Sequence, residues 1–201
     1  MHFIYYTDRI MKTKSIASSL LIGMVIFLSI IFIGGCHKDD FDGAQISGLT
    51  PDTDNGGLTL ADGFRGISVT AETGRARHLA VNTNGDIYVK LAELKNGSGI
   101  LVLKDTDNDG RTDTETGFGN FPGTGIAIKG GYLYATSDDA IYRYKLGVNN
   151  EIENATSPET IASGLTMGSQ HSSKSITLDN NNNVYVNIGA PSNSCQVNDR
   201  V

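Results

Sequence analysis

The sequence predicts an all-β protein that forms part of a β-propeller, and three observations lead to this fold class. From Leu60 onward, short apolar runs rich in Val, Ile and Tyr alternate with turns rich in Gly, Asn and Asp, which is the pattern of strands and hairpins. No window of about a dozen residues shows the apolar spacing of a helix. Three segments are also versions of one another, and a repeat of about 40 to 50 residues made of short strands is typical of propeller blades.

Residues 1–35 precede the propeller and are predicted to be a lipoprotein signal peptide. Lys12 and Lys14 come before an apolar stretch at 20–33 that is short for a membrane span. The stretch ends in IGGC, which is similar to a bacterial lipobox, in which the cysteine carries the lipid. We therefore expect lipidation at Cys36, and the alternative is an uncleaved N-terminal anchor.

The residues after Cys36 predict where the protein lies. The sequence HKDD at 37–40 is similar to the Lys-acidic-acidic tag that sends lipoproteins of some Gram-negative bacteria to the cell surface. We therefore expect a lipid-anchored protein of the bacterial cell envelope, in the outer membrane and exposed at the surface, with the membrane as a partner. Residues 36–59 are mostly small or polar and are predicted to form a flexible tether.

Charge and cysteine content agree with an exported protein that does not bind nucleic acid. The formal net charge is −6, and no basic stripe is present that could neutralise phosphates. Once Cys36 is lipidated, Cys195 is the remaining thiol, so no internal disulfide is expected.

Three repeated segments define the predicted blades. Each segment consists of a strand, a tight turn and a second strand that carries a tyrosine. The Asn and Gly residues in these turns tolerate the positive φ of short hairpins, so the fold alone explains them. The segments cover residues 79–89, 126–135 and 176–186, with Tyr88, Tyr134 and Tyr185 at equivalent positions.

The number of repeats predicts an incomplete ring. Apolar runs at 100–103 and 140–146 supply outer strands, so each of the first two blades can reach four strands. A closed propeller needs at least about four blades, whereas residues 60–201 hold about two and a half. We therefore expect the chain to be the N-terminal portion of a longer propeller, with exposed sheet edges.

One loop of the first blade has the pattern of a calcium-binding loop. Asp105, Asp107 and Asp109 stand at positions 1, 3 and 5, a glycine follows at position 6, and Asp113 stands at position 9. Position 12 is Thr116 and no helices flank the loop, so the pattern excludes an EF-hand. The loop is either a structural calcium site or a solvated acidic turn.

The residues ahead of each repeat are candidates for a ligand site, because the innermost strands of a propeller line its central channel. Aligning the repeats places Arg77, Thr124 and Lys174 at equivalent positions. Arg77 and Lys174 would suit an anionic ligand at the channel mouth, or would be ordinary solvated cations. His171 could accept a proton from a substrate hydroxyl, or be an ordinary loop residue, whereas His78 is expected to pack at a strand start.

The order of these motifs resembles that of the glucose/sorbosone dehydrogenase family. The likeness covers residues 60–201 and implies a six-bladed propeller that binds pyrroloquinoline quinone (PQQ) and calcium and oxidises a sugar alcohol or aldose group. In that family a histidine just before such a hairpin is the general base, and His171 occupies its place; Lys174 and Arg77 are the candidate cofactor ligands. The segments that carry the likeness are ARHLAV at 76–81, DTDNDGR at 105–111, GTGIA at 123–127, GYLY at 131–134, HSSKSI at 171–176 and NIGAPSNSC at 187–195.

The chain departs from the family pattern in three ways. The main cofactor and calcium ligands of the family come from later blades, and the acidic loop at 105–113 is not the family's cofactor calcium site. Lys174 stands where relatives often carry arginine, which keeps the charge but loses the planar fork. We therefore expect residues 1–201 alone neither to hold PQQ nor to turn over substrate.

Two other functions fit the same sequence. One is a non-catalytic propeller that binds carbohydrate or protein at the cell surface. The other is a calcium-dependent sugar lactonase, which would use carboxylates in the channel instead of a histidine base. In the dehydrogenase interpretation the partner is a sugar substrate, and the sequence does not identify the electron acceptor.

Overall fold

The computed structural model describes residues 2–6, 49–165 and 171–189. Cys36, most of the predicted signal and tether, and Cys195 lie outside these residues. Among the described residues, no helix combines the length and hydropathy needed to cross a membrane. The described elements are β1 (His2–Tyr6), a 3-10 turn (Asn55–Gly57), β2 (Phe64–Ser68), β3 (Ala76–Val81), β4 (Ile87–Lys95), β5 (Ser98–Lys104), β6 (Thr114–Phe118), β7 (Ile126–Lys129), β8 (Tyr132–Thr136), β9 (Ala140–Lys145), β10 (Glu159–Ser163), β11 (Ile176–Leu178) and β12 (Val184–Val186).

The strands form consecutive antiparallel sheets, as expected for propeller blades. Strands β3 to β6 make one four-stranded sheet, here called blade 1, and β7 to β10 make a second, called blade 2. Strands β11 and β12 pair as the described part of blade 3. Strand β7 lies beside both β3 and β11, so the first strands of the three blades are neighbours. The predicted all-β, partial propeller fold is confirmed.

The repeated tyrosines occupy the same register position in each blade. In each blade the tyrosine on the second strand pairs with the central residue of the three-residue run that opens the repeat, namely Ala80, Ala127 or Thr177. Tyr88 is 1% exposed and Tyr134 is 4% exposed, whereas Tyr185 is 55% exposed. Tyr185 differs because it lies on β12, at the edge of the two-stranded sheet.

Blades 1 and 2 each reach the four strands that the sequence predicted, although their fourth strands carry no apolar run. The third strand β5 covers the predicted run at 100–103, and β9 covers residues 140–145 of the predicted run at 140–146. The fourth strands β6 and β10 are mostly exposed and carry Thr, Glu, Gly and Ser, so they lack a clear apolar pattern.

Blades 1 and 2 share one hydrophobic core. Tyr88 and Ile100 of blade 1 pack in the same buried cluster as Leu133 and Tyr144 of blade 2. The ring of Phe118 also meets Tyr144 edge-to-face, with centroids 5.0 Å apart. Because neither sheet buries this face alone, the two blades stabilise each other.

The segment before blade 1 is held against the acidic loop. Strand β2 pairs with β1 and not with a propeller blade. Asp52 accepts a hydrogen bond from the backbone N–H of Ser68 at 2.7 Å and pairs with Arg111 at 2.5 Å. Arg111 also donates to the carbonyl of Ser68 at 2.9 Å. Residues from 49 onward, part of the predicted tether, therefore contact the domain.

Candidate functional site

The inner strands are joined at equivalent positions by side chains of the preceding blade. In blade 1, His78 Nδ1 lies 2.6 Å from the carbonyl oxygen of Thr124. A carbonyl only accepts hydrogen bonds, so Nδ1 carries the proton in this contact. In blade 2, Thr136 Oγ1 donates to the carbonyl of Lys174 at 2.7 Å and accepts from Gly125 N–H at 2.9 Å. The backbone that carries the predicted site residues is thus fixed between blades.

Arg77 lies exposed in a β-bulge of β3. Pairing between β3 and β4 jumps from Ala76–Leu91 to His78–Lys90, so Arg77 has no partner residue on β4. Its guanidinium forms no ion pair with any residue that the structure describes. Arg77 therefore presents a cation on the innermost strand of blade 1.

His171 lies exposed in front of the blade 3 hairpin, with an unusual backbone conformation. Its φ is 58°, in the left-handed region that non-glycine residues seldom adopt. A Cβ added at Gly189, just after β12, would lie 2.5 Å from the His171 carbonyl oxygen and 2.6 Å from its Cβ. Because these two backbones approach so closely, position 189 requires glycine, and the contact restrains the position of the His171 backbone.

Lys174 is buried, although the sequence suggested a cation at the channel mouth. Its side chain is 0% exposed, and Nζ donates to the carbonyl of Ser172 at 2.5 Å. Equivalence to Arg77 in the repeat therefore does not bring equal exposure.

A second buried lysine was missed by the sequence analysis. Lys90 is 0% exposed on β4, and its Nζ donates to the carbonyls of Gly99 at 3.0 Å and Phe121 at 2.7 Å. Nζ also lies 4.5 Å from the centre of the Phe121 ring. Burial lowers the pKa of Lys90 from 10.5 to about 7, partly opposed by the charge of Asp138. The sequence feature that could have indicated this burial is the position of Lys90 within the apolar run IYVKLA at 87–92.

The acidic loop brings three of its four predicted metal ligands together. Carboxylate oxygens of Asp105, Asp107 and Asp109 lie within 4.8 Å of one another. Asp113 instead accepts the Thr106 N–H at 2.6 Å and hydroxyl at 2.7 Å, and these bonds hold the pKa of the Asp113 carboxyl below its usual value. The loop joins β5 to β6, the two outer strands of blade 1, so it lies away from the innermost strands.

A cavity of about 590 Å³ lies between blades 1 and 2 and contains none of the predicted site residues. Its walls include Phe118 at the end of β6, Phe121 in the segment that follows β6, and Tyr142 and Tyr144 of β9. The candidate chemistry on the innermost strands is therefore separate from this cavity.

Four-stranded antiparallel sheets with neighbouring first strands define the chain as a β-propeller protein. The family described as TrAA12-like matches residues 58–199, and the chain belongs to this family. This result confirms the resemblance that the sequence motifs indicated. No curated protein matches the chain.

Several solved structures share the fold at low sequence identity. The iodide and the calcium structures of Trichoderma reesei Carbohydrate-Active Enzymes Family AA12 are each 22% identical with a TM-score of 0.50, and each covers 60% of this chain. The holo form of the pyranose dehydrogenase PQQ domain from Coprinopsis cinerea is 18% identical with a TM-score of 0.51, over 62% of this chain. The match covers 32%, 31% and 30% of those three chains, so this chain aligns with about a third of their length.

Proposed function

We propose that this protein serves in the PQQ-dependent oxidation of a sugar alcohol or aldose group, with His171 as the general base. The observation that carries the proposal is the exposed imidazole of His171 ahead of the blade 3 hairpin, in a chain of the TrAA12-like family. A fold shared with a domain described as the PQQ domain of a pyranose dehydrogenase supports the same activity.

The described residues fit an anionic quinone cofactor in part. PQQ carries carboxylates, so it needs cationic partners that are free to reach it. Arg77 meets this need because it is exposed and unpaired within the described residues. Lys174 does not, because its Nζ is buried against the carbonyl of Ser172. Arg77 is therefore the residue that we propose for contact with a PQQ carboxylate.

The chemistry of His171 follows from its ring nitrogens. A neutral imidazole has one acceptor nitrogen, which can take the proton of a substrate hydroxyl as the C–H bond breaks. PQQ, when bound, supplies the quinone that takes up the hydride. The contact of Gly189 with the His171 backbone limits the movement of this base, and well-oriented groups react faster.

A His171→Ala variant tests the proposed base. In the intact protein loaded with PQQ, we expect sugar-dependent dye reduction to fall by about 10² to 10⁴-fold, because general-base catalysis contributes about this much. The affinity for PQQ, measured by titration, should stay unchanged. His78→Gln is the matched control, because glutamine keeps a donor for the Thr124 carbonyl and does not alter His171. Unchanged turnover in His171→Ala, or calcium-dependent lactone hydrolysis without PQQ, would contradict the proposal.

We further propose that Asp105, Asp107 and Asp109 hold a structural calcium ion. Support comes from the close approach of their carboxylate oxygens, since calcium takes oxygen ligands, and multiple carboxylates compensate its charge. Asp105 also accepts three backbone N–H groups of the loop at 2.7 to 3.2 Å, which orders the loop before an ion arrives.

We also propose that the protein is exported and lipid-anchored through Cys36 in the bacterial cell envelope, in the outer membrane and facing outward. The lipobox-like IGGC and the HKDD that follows it support this location.

A further inference from the structure

The side chain of Lys174 reaches back toward His171 instead of toward solvent. It is 0% exposed, and Nζ donates to the carbonyl of Ser172, the residue next to His171, at 2.5 Å. A long flexible side chain held on a neighbouring carbonyl closes a short loop from 172 to 174. Lys174 thus acts on the backbone directly beside the candidate base.

The same short segment is fixed by contacts from β8 and from the chain that follows β12. The Lys174 carbonyl accepts from Thr136 Oγ1 of blade 2 at 2.7 Å, in a bond that is itself buried. At the other end, the backbone at Gly189 packs against the carbonyl and Cβ of His171. Residues 171–174 are therefore anchored to blade 2 at one end and to the chain after β12 at the other.

The backbone of His171 needs such support. At a φ of 58°, a residue with a side chain is strained, and this conformation persists where the surroundings determine it. The Ser172 carbonyl immediately follows this strained residue, and Lys174 Nζ holds it in place. Loss of the Nζ contact would let the 171–172 backbone relax and would turn the imidazole away.

We propose that Lys174 is a positioning residue for His171 and not a direct ligand of the cofactor. This inference rests on the proposed function of His171 as the base. A direct ligand needs an accessible charged group, and the Arg77 side chain is exposed, whereas the Lys174 amino group is enclosed and bonded to backbone.

The test compares two buried lysines by NMR of the histidine rings in the intact protein. Lys174→Met removes the donor and keeps an apolar chain of similar length. Lys90→Met is the matched control, since Lys90 is equally buried, also bonds to backbone carbonyls, and pairs with His78 across β3 and β4. The rings are assigned with ¹⁵N-labelled histidine and single His→Gln variants, which identify the signals of His171 and His78 among those of the other histidines.

The expected results are reciprocal. Lys174→Met shifts or broadens the ring signals of His171 and leaves those of His78 unchanged, and Lys90→Met does the opposite. Lys174→Arg, which keeps a donor, restores the His171 signals at least in part and also covers the case in which Lys174→Met fails to fold. Unchanged His171 signals in Lys174→Met, or equal changes in both lysine variants, would overturn the positioning role.

Kinetics separate this inference from the proposed function. With PQQ bound, we expect kcat of Lys174→Met to fall by about 10- to 100-fold through misplacement of the base, with PQQ affinity unchanged. A large loss of PQQ affinity with undisturbed His171 signals would make Lys174 a cofactor ligand. If His171→Ala keeps full turnover while Lys174→Met still disturbs the His171 ring, the base role fails and the positioning role stands.

Discussion

Lys90 shows how one buried residue joins two blades. The Lys90 side chain extends from β4 of blade 1, and its Nζ donates a hydrogen bond to the carbonyl of Phe121, in the segment that leads into blade 2. The Phe121 ring packs in turn on Tyr142 of blade 2, with centroids 4.4 Å apart. Thr136, the equivalent residue of blade 2, bonds to the chain that enters blade 3. The same position thus links successive blades through different chemical groups.

The burial of Lys90 predicts that stability rises with pH above neutrality. The folded-state pKa is about 7 and the ordinary value is 10.5, so between these pH values the unfolded chain binds more protons than the folded chain. Unfolding free energy therefore increases with pH in this window and is lowest below pH 7. The gain is at most roughly 3 kcal/mol between pH 6.5 and 9.5.

Urea unfolding of the wild type and of Lys90→Met at several pH values measures this effect. The unfolding free energy of the wild type minus that of Lys90→Met should increase as the pH is raised, because the variant lacks the titrating group. Lys129→Met, which removes an exposed lysine contact to Asn180 Oδ1 of 3.3 Å, is a control that should follow the wild-type pH dependence. Parallel curves for wild type and Lys90→Met would contradict the prediction.

The sequence located the candidate residues but not their exposure. The repeat spacing gave Arg77 and Lys174 equivalent places, and each stands two residues before a residue of matching hairpin register, Leu79 or Ile176. Whether each side chain is buried depends on contacts from far along the chain. The Lys174 carbonyl accepts a hydrogen bond from Thr136 of blade 2, whereas Arg77 lies in a bulge of β3. A single sequence does not show these long-range contacts.

At the scale of elements, the apolar pattern of the sequence marked the strands that supply the core and did not mark the fourth strands β6 and β10. Strands β4, β5, β8 and β9 contribute most of the core, and their apolar runs marked them. Strands β6 and β10 depend on hydrogen bonding to β5 and β9 instead of on burial, so their composition resembles that of loops. The fourth strand of each blade is therefore recognisable from pairing and not from hydropathy.

The acidic loop between β5 and β6 is the element for which we predict calcium binding. Calorimetry should show an affinity of about 10⁻⁴ to 10⁻³ M, the range of exposed extracellular calcium modules. Asp107→Asn should weaken binding at least about tenfold, because one of three carboxylates loses its charge. Asp62→Asn, which alters an exposed acid outside the cluster, should bind as the wild type does. If calorimetry detects no heat of binding up to about 10 mM calcium, the proposed calcium site is wrong.

At the scale of the whole molecule, the innermost strands bring distant parts of the chain together. Strand β7 lies beside β3, which carries Arg77, and beside β11, which follows His171. The proposed base and the proposed cofactor contact therefore flank one strand of blade 2. The core shared by blades 1 and 2 fixes β7 relative to β3, and the Thr136 bond fixes it relative to Lys174. Strands β3 and β11, which begin 100 positions apart, thus lie next to the same inner strand of blade 2.

The proposed lipid anchor leads to the last prediction, which concerns the two cysteines of the chain. Cys36 follows a lipobox-like sequence, whereas Cys195 lies near the other end of the chain. We expect the wild type to incorporate a labelled fatty acid and to stay with membranes in alkaline carbonate, since more than one acyl chain anchors a protein stably. Cys195→Ala should behave identically, and Cys36→Ala should lose the label. If the wild type takes up no label and stays in membranes with residues 1–35 retained, the apolar stretch at 20–33 is the anchor and the lipidation prediction is wrong.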